Sequence, residues 1–429
     1  MYCSKRHFPF RFLLLTLVTV LFGCSNNQNI VFGGSGNSSV SNVRLSFFGN
    51  KYEALNVMSI EKIMRGYMTE FPSVNISYES VKGTEYFEVL NKRMATGNGD
   101  DIIVVDQAST LELGAAGKLA DLSELDTLKN YSELALNQMH NEDSKTLYVP
   151  TSISAFGLYC NETLLKKHGQ KIPTNLAEFE ATADYFVSEG IYPLVANNDI
   201  SLKTVALAVG MFPVYQSDEV SSELNKINDG RSDFGEILRP GFELVQRFIE
   251  RGYLNMEVTL KTEKTKDDLL AFATGTSPFM LTGAWAALRM QELNPDFKFS
   301  VIPYPFLTDG SVLVINMDTR IGVNANSQHV EEAKSFIEYF TAENNLRDFV
   351  DSQCSFSPLK TNRLSSNKAI QAISPYLTNG RNVIGSDDNL SFPVWTFTKN
   401  CIVEMLEGGS AGKAVQSLNR QLSEWRDSR

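Results

Sequence analysis

The chain is poor in the residues that build metal centres and in positive charge. Its 429 residues include four histidines (His7, His140, His168 and His329) and five cysteines (Cys3, Cys24, Cys160, Cys354 and Cys401). These are too few and too scattered for a zinc framework, which needs paired ligands at short spacing. Basic residues number 39 against 50 acidic, a formal charge of −11. That balance lacks the basic field that a nucleic-acid binder requires. Neither G-x-x-x-x-G-K-[ST] nor H-E-x-x-H occurs, so no phosphate-cradling loop or zincin helix is written in the chain. The N-terminal apolar stretch, Phe12 to Phe22, is also too short to be a stable membrane span. At ~1.5 Å per residue it reaches about 16 Å, half of a ~30 Å hydrocarbon core.

What is present is globular composition. Apolar residues make up 43% and charged residues 21%, which excludes a disordered, collagen-like or fibrous repeat chain. At roughly 100–200 residues per domain, the length predicts two or three domains.

Residues 1–23 read as a signal peptide. Lys5, Arg6 and Arg11 form a basic n-region, and Phe12–Phe22 forms the apolar h-region. The stretch ends Leu21-Phe22-Gly23-Cys24, which resembles the lipobox of bacterial lipoproteins, with Phe22 bulkier than the usual residue. That resemblance implies a diacylglycerol-modified Cys24 as the mature N-terminus, and two acyl chains suffice for stable anchoring. Ordinary cleavage, leaving a secreted protein with a spare thiol, is the competing reading. Residues 25–42 are mostly Ser, Asn and Gly and read as a flexible tether. Its reach is about 24 Å, from ~5–6 Å × √18.

The body reads as α/β. Val43–Asn50 is a buried strand, residues 53–71 a helix stopped by Pro72, and Val74–Val81 a second strand. A helix ending at Gly97 follows, then Asp100–Asp106, a near-continuous apolar run suited to a parallel strand covered on both faces. This order predicts a doubly wound sheet. Tyr148–Ser152 and Ser154–Asn161 read as two further strands, with Cys160 a small buried hydrophobe. Thr174 is placed as the cap of a helix running to Gly190. Residues 234–251 and 329–342 read as amphipathic helices, and Ser277–Trp285 as a strand turning at Gly283 into a helix.

Five segments, in order, resemble family 1 extracellular solute-binding proteins of ABC importers, the carbohydrate-binding group that includes maltose-binding protein. They are FPSVNISYESV, MATGNGDDIIVVD, GAAGKLADLSEL, VPTSISAFGLYCNETLLKKHGQKIPTNLAEFEA and FATGTSPFMLTGAW. The chain departs from the family pattern at Asp100, Cys160 and Leu176, where proline, an aromatic and tryptophan are usual. The resemblance covers about residues 43–425. It implies a periplasmic-binding-protein-like fold of two interleaved α/β lobes joined by a multi-crossing hinge near Pro150, Pro305 and Pro358. Lobe 1 would comprise 43–149 plus 308–362, and lobe 2 150–307 plus 363–429.

Catalytic patterns are weak. The one G-x-S-x-G, Gly408 to Gly412, follows a helix-like segment and has no later histidine, so Ser410 reads as a cap or loop residue. The acidic pairs Asp100/Asp101, Asp267/Asp268 and Asp387/Asp388 read as solvated turns or helix starts. A sugar site needs flat aromatic faces plus carboxylates and amides to meet hydroxyls. Of three tryptophans, Trp285 lies where the family places a stacking aromatic, and Trp395 where a second often enters from lobe 2. Trp425 reads as core. In the family's cleft, the loop after the first strand brings Asn50, Lys51, Tyr52 and Glu53. Glu53 is read equally as a hydroxyl acceptor or as an anion at a helix N-terminus. Asp106 and Gln107 end a strand at the edge where open α/β sheets bind ligands. Ser152 and Ser154 are weaker candidates.

The resemblance implies a monomeric, lipid-anchored protein on the extracytoplasmic face of the cell membrane. It would bind a sugar or oligosaccharide and deliver it to ABC transporter permease subunits. No cofactor, metal or nucleic acid is implied, and no reaction. The alternatives are a surface-anchored carbohydrate hydrolase, a binding protein for a non-sugar solute, and a signalling or adhesion component without a permease.

Overall fold

The computed structural model describes residues 43–139, 145–361 and 364–428. The signal segment, Cys24 and the tether lie outside the described residues. Strand β1 (Val43–Gly49), α1 (Ala54–Glu70), β2 (Val74–Ser80), α2 (Gly83–Ala95), β3 (Ile102–Val105) and α3 (Gln107–Ala115) alternate as the apolar periodicity predicts. β1 pairs in parallel with β2 and β3. All four residues of β3 are buried, which explains their unbroken apolar run. Gly97, just past α2, takes φ +76, the left-handed conformation that ends a helix cheaply only at glycine.

Then come α4 (Glu133–Met139), β4 (Val149–Asn161), α5 (Glu162–Lys167), α6 (Leu176–Ser188), β5 (Leu194–Val195), α7 (Ser201–Tyr215), α8 (Val220–Asn228) and α9 (Phe234–Glu250). The chain continues through α10 (Met256–Lys261), α11 (Asp267–Ala273), β6 (Phe279–Gly283), α12 (Ala286–Leu293), β7 (Phe299–Ile302), β8 (Tyr304–Leu307) and β9 (Gly310–Val323). It ends with α13 (Val330–Thr341), α14 (Glu343–Ser352), β10 (Asn382–Ile384), α15 (Val394–Leu406) and α16 (Ala411–Asp427).

The strand order is β2-β1-β3-β9-β4-β6-β5, with β8 and β10 also on β9 and β7 also on β4. The limb β2-β1-β3 is parallel, as the β-α-β-α-β order predicts. The centre is not, because β9 runs antiparallel to both β3 and β4. The sheet is therefore mixed. The two segments 148–152 and 154–161, read as separate strands, are one strand of 13 residues, β4, all buried. The seam between them holds because Ile153 pairs with Met317 in β9 and also exchanges both backbone hydrogen bonds with Phe356, at 2.7 and 3.0 Å. No backbone polar group is left open there to end the strand.

β4 and β9 are long enough to serve two cores. One cluster of buried side chains includes Phe47, Ile103, Val149, Ile153, Ile315 and Phe336; the other includes Phe156, Leu158, Val205, Phe242, Val314 and Ile402. Along β4, Val149, Ile153, Ala155 and Tyr159 join the first core, and Phe156, Leu158 and Cys160 the second. The segment at Phe356 makes a third pass beside β4.

Two readings are corrected. Asn175, not Thr174, caps α6: its side chain accepts from the Glu178 amide at 3.0 Å. Both residues are good caps, and Thr174 is instead bound by the Glu178 carboxylate through its amide and hydroxyl, each at 2.8 Å. The acidic pairs are not all solvated. Asp268 and Asp387 are buried, and Asp388 is nearly so, in hydrogen-bonded networks with residues distant in sequence.

Candidate functional site

Two of the predicted site residues are brought together. β6 ends at Gly283, and the chain turns through Ala284 and Trp285 into α12. α15 starts at Val394 and carries Trp395 in its first turn. Phe156 of β4 stands between the two indoles, with ring centroids 5.2 Å from each, edge-on to Trp285 and tilted to Trp395. Both indoles are half-buried, and Trp285 packs against both cores. Glycines make room for them. A Cβ on Gly283 would lie 2.1 Å from the Trp285 ring, and one on Gly385 would lie 2.6 Å from the Trp395 ring.

Polar groups on the two crossing strands adjoin this cluster. Ser154 is in register with Asn316, and Ser152 with Asp318. The Ser154 hydroxyl donates to Asp318 Oδ2 at 2.6 Å, and Lys51 Nζ reaches the same oxygen at 3.2 Å. Burial would raise the Asp318 pKa, but Lys51 and Ser154 outweigh it and hold the carboxylate below its ordinary value. Ser152 Oγ is buried without a hydrogen-bond partner, and so is Asn50 Oδ1. An unpartnered buried acceptor of this kind is a place a ligand hydroxyl would satisfy.

Glu53 stands at the N-terminus of α1, where its carboxylate is an ion-paired anion. It precedes α1 but makes no capping hydrogen bond. Its carboxylate is held by the Arg289 guanidinium of α12 and accepts from Asn56 Nδ2 at 2.9 Å. Burial pushes its pKa up, yet Arg289 pulls it below the ordinary carboxylate value. Tyr52 is exposed.

Asp106 and Gln107 both make hydrogen bonds within the fold. Asp106 caps α3, accepting from the Ser109 amide at 2.8 Å. Gln107 is buried, and its Nε2 donates to the carbonyls of Asp387 and Leu390. Its Oε1 has no partner. Around it lies a network that sequence reasoning missed. Gln138 Nε2 donates to Asp387 Oδ1 at 2.8 Å, the Tyr215 hydroxyl meets Asp387, and Arg320 Nη1 meets Asp388 Oδ1 at 2.6 Å. Tyr148 Oη lies 2.6 Å from Asp388 Oδ2 and 2.7 Å from the Gln138 carbonyl. A phenol has one proton for these two acceptors. A proton on Asp388 resolves the conflict, and burial does push that carboxyl up to about 6 despite Arg320.

Sequence reasoning also missed Lys203, buried on α7 and lying 4.0 Å from the Trp395 ring centroid. A lysine inside the apolar run Ile200–Met211 is the signal that could have found it. Ser410 caps α16, its hydroxyl accepting from the Lys413 amide at 3.3 Å, which accounts for the G-x-S-x-G pattern. Cys160 is buried, and Cys354 and Cys401 are buried free thiols as well. Trp425 is half-buried, with Nε1 donating to the Ser391 carbonyl at 2.9 Å. A cavity of about 710 Å³ lined by Val209, Phe212, Pro240, Arg247, Phe306 and Asp309 contains none of the candidate residues. Among the described residues no group of three or more His, Cys, Asp or Glu could hold a metal ion, and no helix is long and apolar enough to cross a membrane.

The family model described as bacterial extracellular solute-binding protein matches residues 62–372. The chain belongs to this family. Among relatives of this solute-binding protein, a multiple sugar-binding protein of Streptococcus mutans serotype c is 22% identical over 373 residues, covering 84% of each chain. Solved structures agree on the fold. RafE in complex with raffinose superposes with a TM-score of 0.70 at 20% identity, covering 88% of this chain and 98% of that one. A sugar transporter protein from Bacillus licheniformis in complex with stachyose gives 0.66 at 19%, covering 88% and 98%. The fold is thus the periplasmic-binding-protein-like one, two α/β lobes sharing crossing strands, that the five segments imply.

Proposed function

We propose that this solute-binding protein captures a sugar, most simply an oligosaccharide, between its two lobes and transforms nothing. The observation that carries the reading is the Trp285–Phe156–Trp395 cluster on a crossing strand, with Asn316, Ser154 and Asp318 beside it. Half-buried indoles offer flat apolar faces to sugar C–H groups, and the strand's amide, hydroxyl and carboxylate meet hydroxyls. The raffinose and stachyose bound in structures of similar fold support the same class. Asn50, Asp106, Gln107 and Glu53 complete the proposed site from lobe 1, with Glu53 acting through Arg289. The lobes are taken as 43–149 plus 308–362 and 150–307 plus 363–429, and closure is a hinge motion about the crossings.

The protein works as a monomer outside the cytoplasm, anchored through lipidated Cys24, and passes its ligand to permease subunits of an ABC importer. Calorimetric titration against a sugar panel that includes raffinose and stachyose tests the ligand class. Heat from at least one oligosaccharide is expected. Silence from all sugars with binding of an amino acid, polyamine or metal overturns it. Turnover of any glycan would replace binding by hydrolysis. Cys24→Ala tests the anchor: wild type incorporates labelled fatty acid and sediments with membranes, and the variant does neither.

A further inference from the structure

Lys203 sits in the first turn of α7, a largely apolar helix, with its side chain 1% exposed. Taking an ammonium out of water is costly unless partners replace the lost hydration. One partner is Asp199, a helical turn back, whose Oδ1 lies 2.6 Å from Nζ. That carboxylate is not reserved for Lys203. Lys264 pairs with its other oxygen, and Lys399 approaches at 3.9 Å, both from more exposed positions. Asp199 would stay neutralised without Lys203. The group that Lys203 covers is the Trp395 indole, with Nζ 4.0 Å from the ring centroid. The negative face of an indole attracts a cation most strongly where water is excluded, as it is here.

Trp395 is otherwise held by apolar contact: Phe156 on one side and the bare Cα of Gly385 on another. Neither fixes the ring's rotation as a charge over its face does. We infer that Lys203 is a positioning residue of the carbohydrate site: its buried ammonium holds the Trp395 indole in the orientation that meets ligand, so affinity follows the charge on this amine. The inference rests on the proposed role of Trp395 in sugar binding.

The charge can change near neutrality. Facing Lys203 are Asp199 from the segment before α7, Lys264 from the segment between α10 and α11, and Lys399 from α15. The Tyr304 phenol of β8 is engaged with the Thr204 hydroxyl at 2.8 Å. Burial and the two neighbouring lysines act against Asp199 and bring the Lys203 amine down to about 7. It is therefore an ammonium at pH 6 and largely a neutral amine at pH 8.5.

The full-length protein labelled with 5-fluorotryptophan has three tryptophans, and Trp395→Phe assigns the Trp395 fluorine resonance. That resonance is expected to shift with a midpoint near pH 7. Lys203→Met should abolish the transition. Lys203→Arg, charged throughout, should hold the resonance at its acid-limit position, and it guards against loss of fold in the methionine variant. A Trp395 resonance that ignores pH, or a transition that survives in Lys203→Met, overturns the inference. Raffinose calorimetry supplies the second reading. Wild type should bind roughly 2–5-fold more tightly at pH 6 than at pH 8.5, the scale of a cation–π contact. Lys203→Arg should be tight and flat, and Lys203→Met weak and flat. Equal wild-type affinity at the two pH values overturns the link to binding. Absence of raffinose heat at every pH counts against the sugar reading, and the fluorine titration then decides the Lys203–Trp395 coupling alone.

Discussion

Glu53 and Arg289 lie 236 positions apart in sequence and form an ion pair between the start of α1 and helix α12. In the lobe assignment proposed above they belong to opposite lobes, and there the pair would fasten the two together. Both side chains are a little over a quarter exposed, which limits the pair to about 0.5–1 kcal/mol. Arg289→Gln should therefore shift the unliganded protein toward the open form and weaken sugar binding roughly 2–5-fold, since 1.4 kcal/mol corresponds to tenfold. Small-angle scattering should show a larger radius of gyration for the variant. Identical scattering and affinity would mean that the pair does not join moving parts.

Trp285 joins both cores and meets Phe156 edge-on. Trp285→Ala is expected to weaken binding by on the order of 1–3 kcal/mol through lost aromatic contact. Calorimetry on a variant whose thermal unfolding remains cooperative is the check. An unchanged dissociation constant would place the ligand elsewhere.

How far these features can be read in the sequence depends on the range over which they are determined. β3 is legible because burial on both faces demands an unbroken apolar run, Ile102–Val105. The turn at Gly283 is legible because glycine lets the following indole fold back on the strand end. The cap of α6 is off by one, since Thr174 and Asn175 are both capping residues and only geometry shows which of them the Glu178 amide chose. Asp387 and Asp388 look like a solvated pair because their neighbours in sequence are polar. Their partners are Arg320, Tyr215, Tyr148 and Gln138, between 68 and 249 positions away. Nothing local announces a contact of that range. The meeting of Trp285 and Trp395 is similarly invisible without Phe156, which looks like one more apolar residue of a strand.

The second core depends on a close helix crossing. A Cβ on Gly241 of α9 would stand 2.1 Å from the backbone carbonyl oxygen of Ala206 in α7. Backbone cannot step aside as a flexible side chain can, so Gly241→Ala must separate the helices. Overpacking of this kind costs about 1–3 kcal/mol. Denaturant unfolding should show that loss, while Gly380→Ala, with nothing near its Cβ but φ +76, should lose less and through backbone strain alone. Equal stability of Gly241→Ala and wild type would show that α7 and α9 do not approach so closely.

Asp388 gives the fold a pH signature with a definite sign. Burial raises its carboxyl to about 6, and Arg320 opposes this without prevailing. The folded state therefore binds more protons than the unfolded state between about pH 4, the ordinary aspartate value, and pH 6. The stabilisation from this group is complete below about pH 4 and is lost as pH rises through 6. Asp388→Asn keeps an acceptor for Arg320 and cannot titrate, so it should flatten the decline in melting temperature across that window. Arg320→Met should do the reverse: with its cation gone, Asp388 stays protonated to higher pH, and the decline moves upward. Thermal melts of the three proteins from pH 4 to 8 decide it. Coincident profiles would mean that Asp388 is ionised throughout, and the second proton shared with Tyr148 would then have to come from elsewhere.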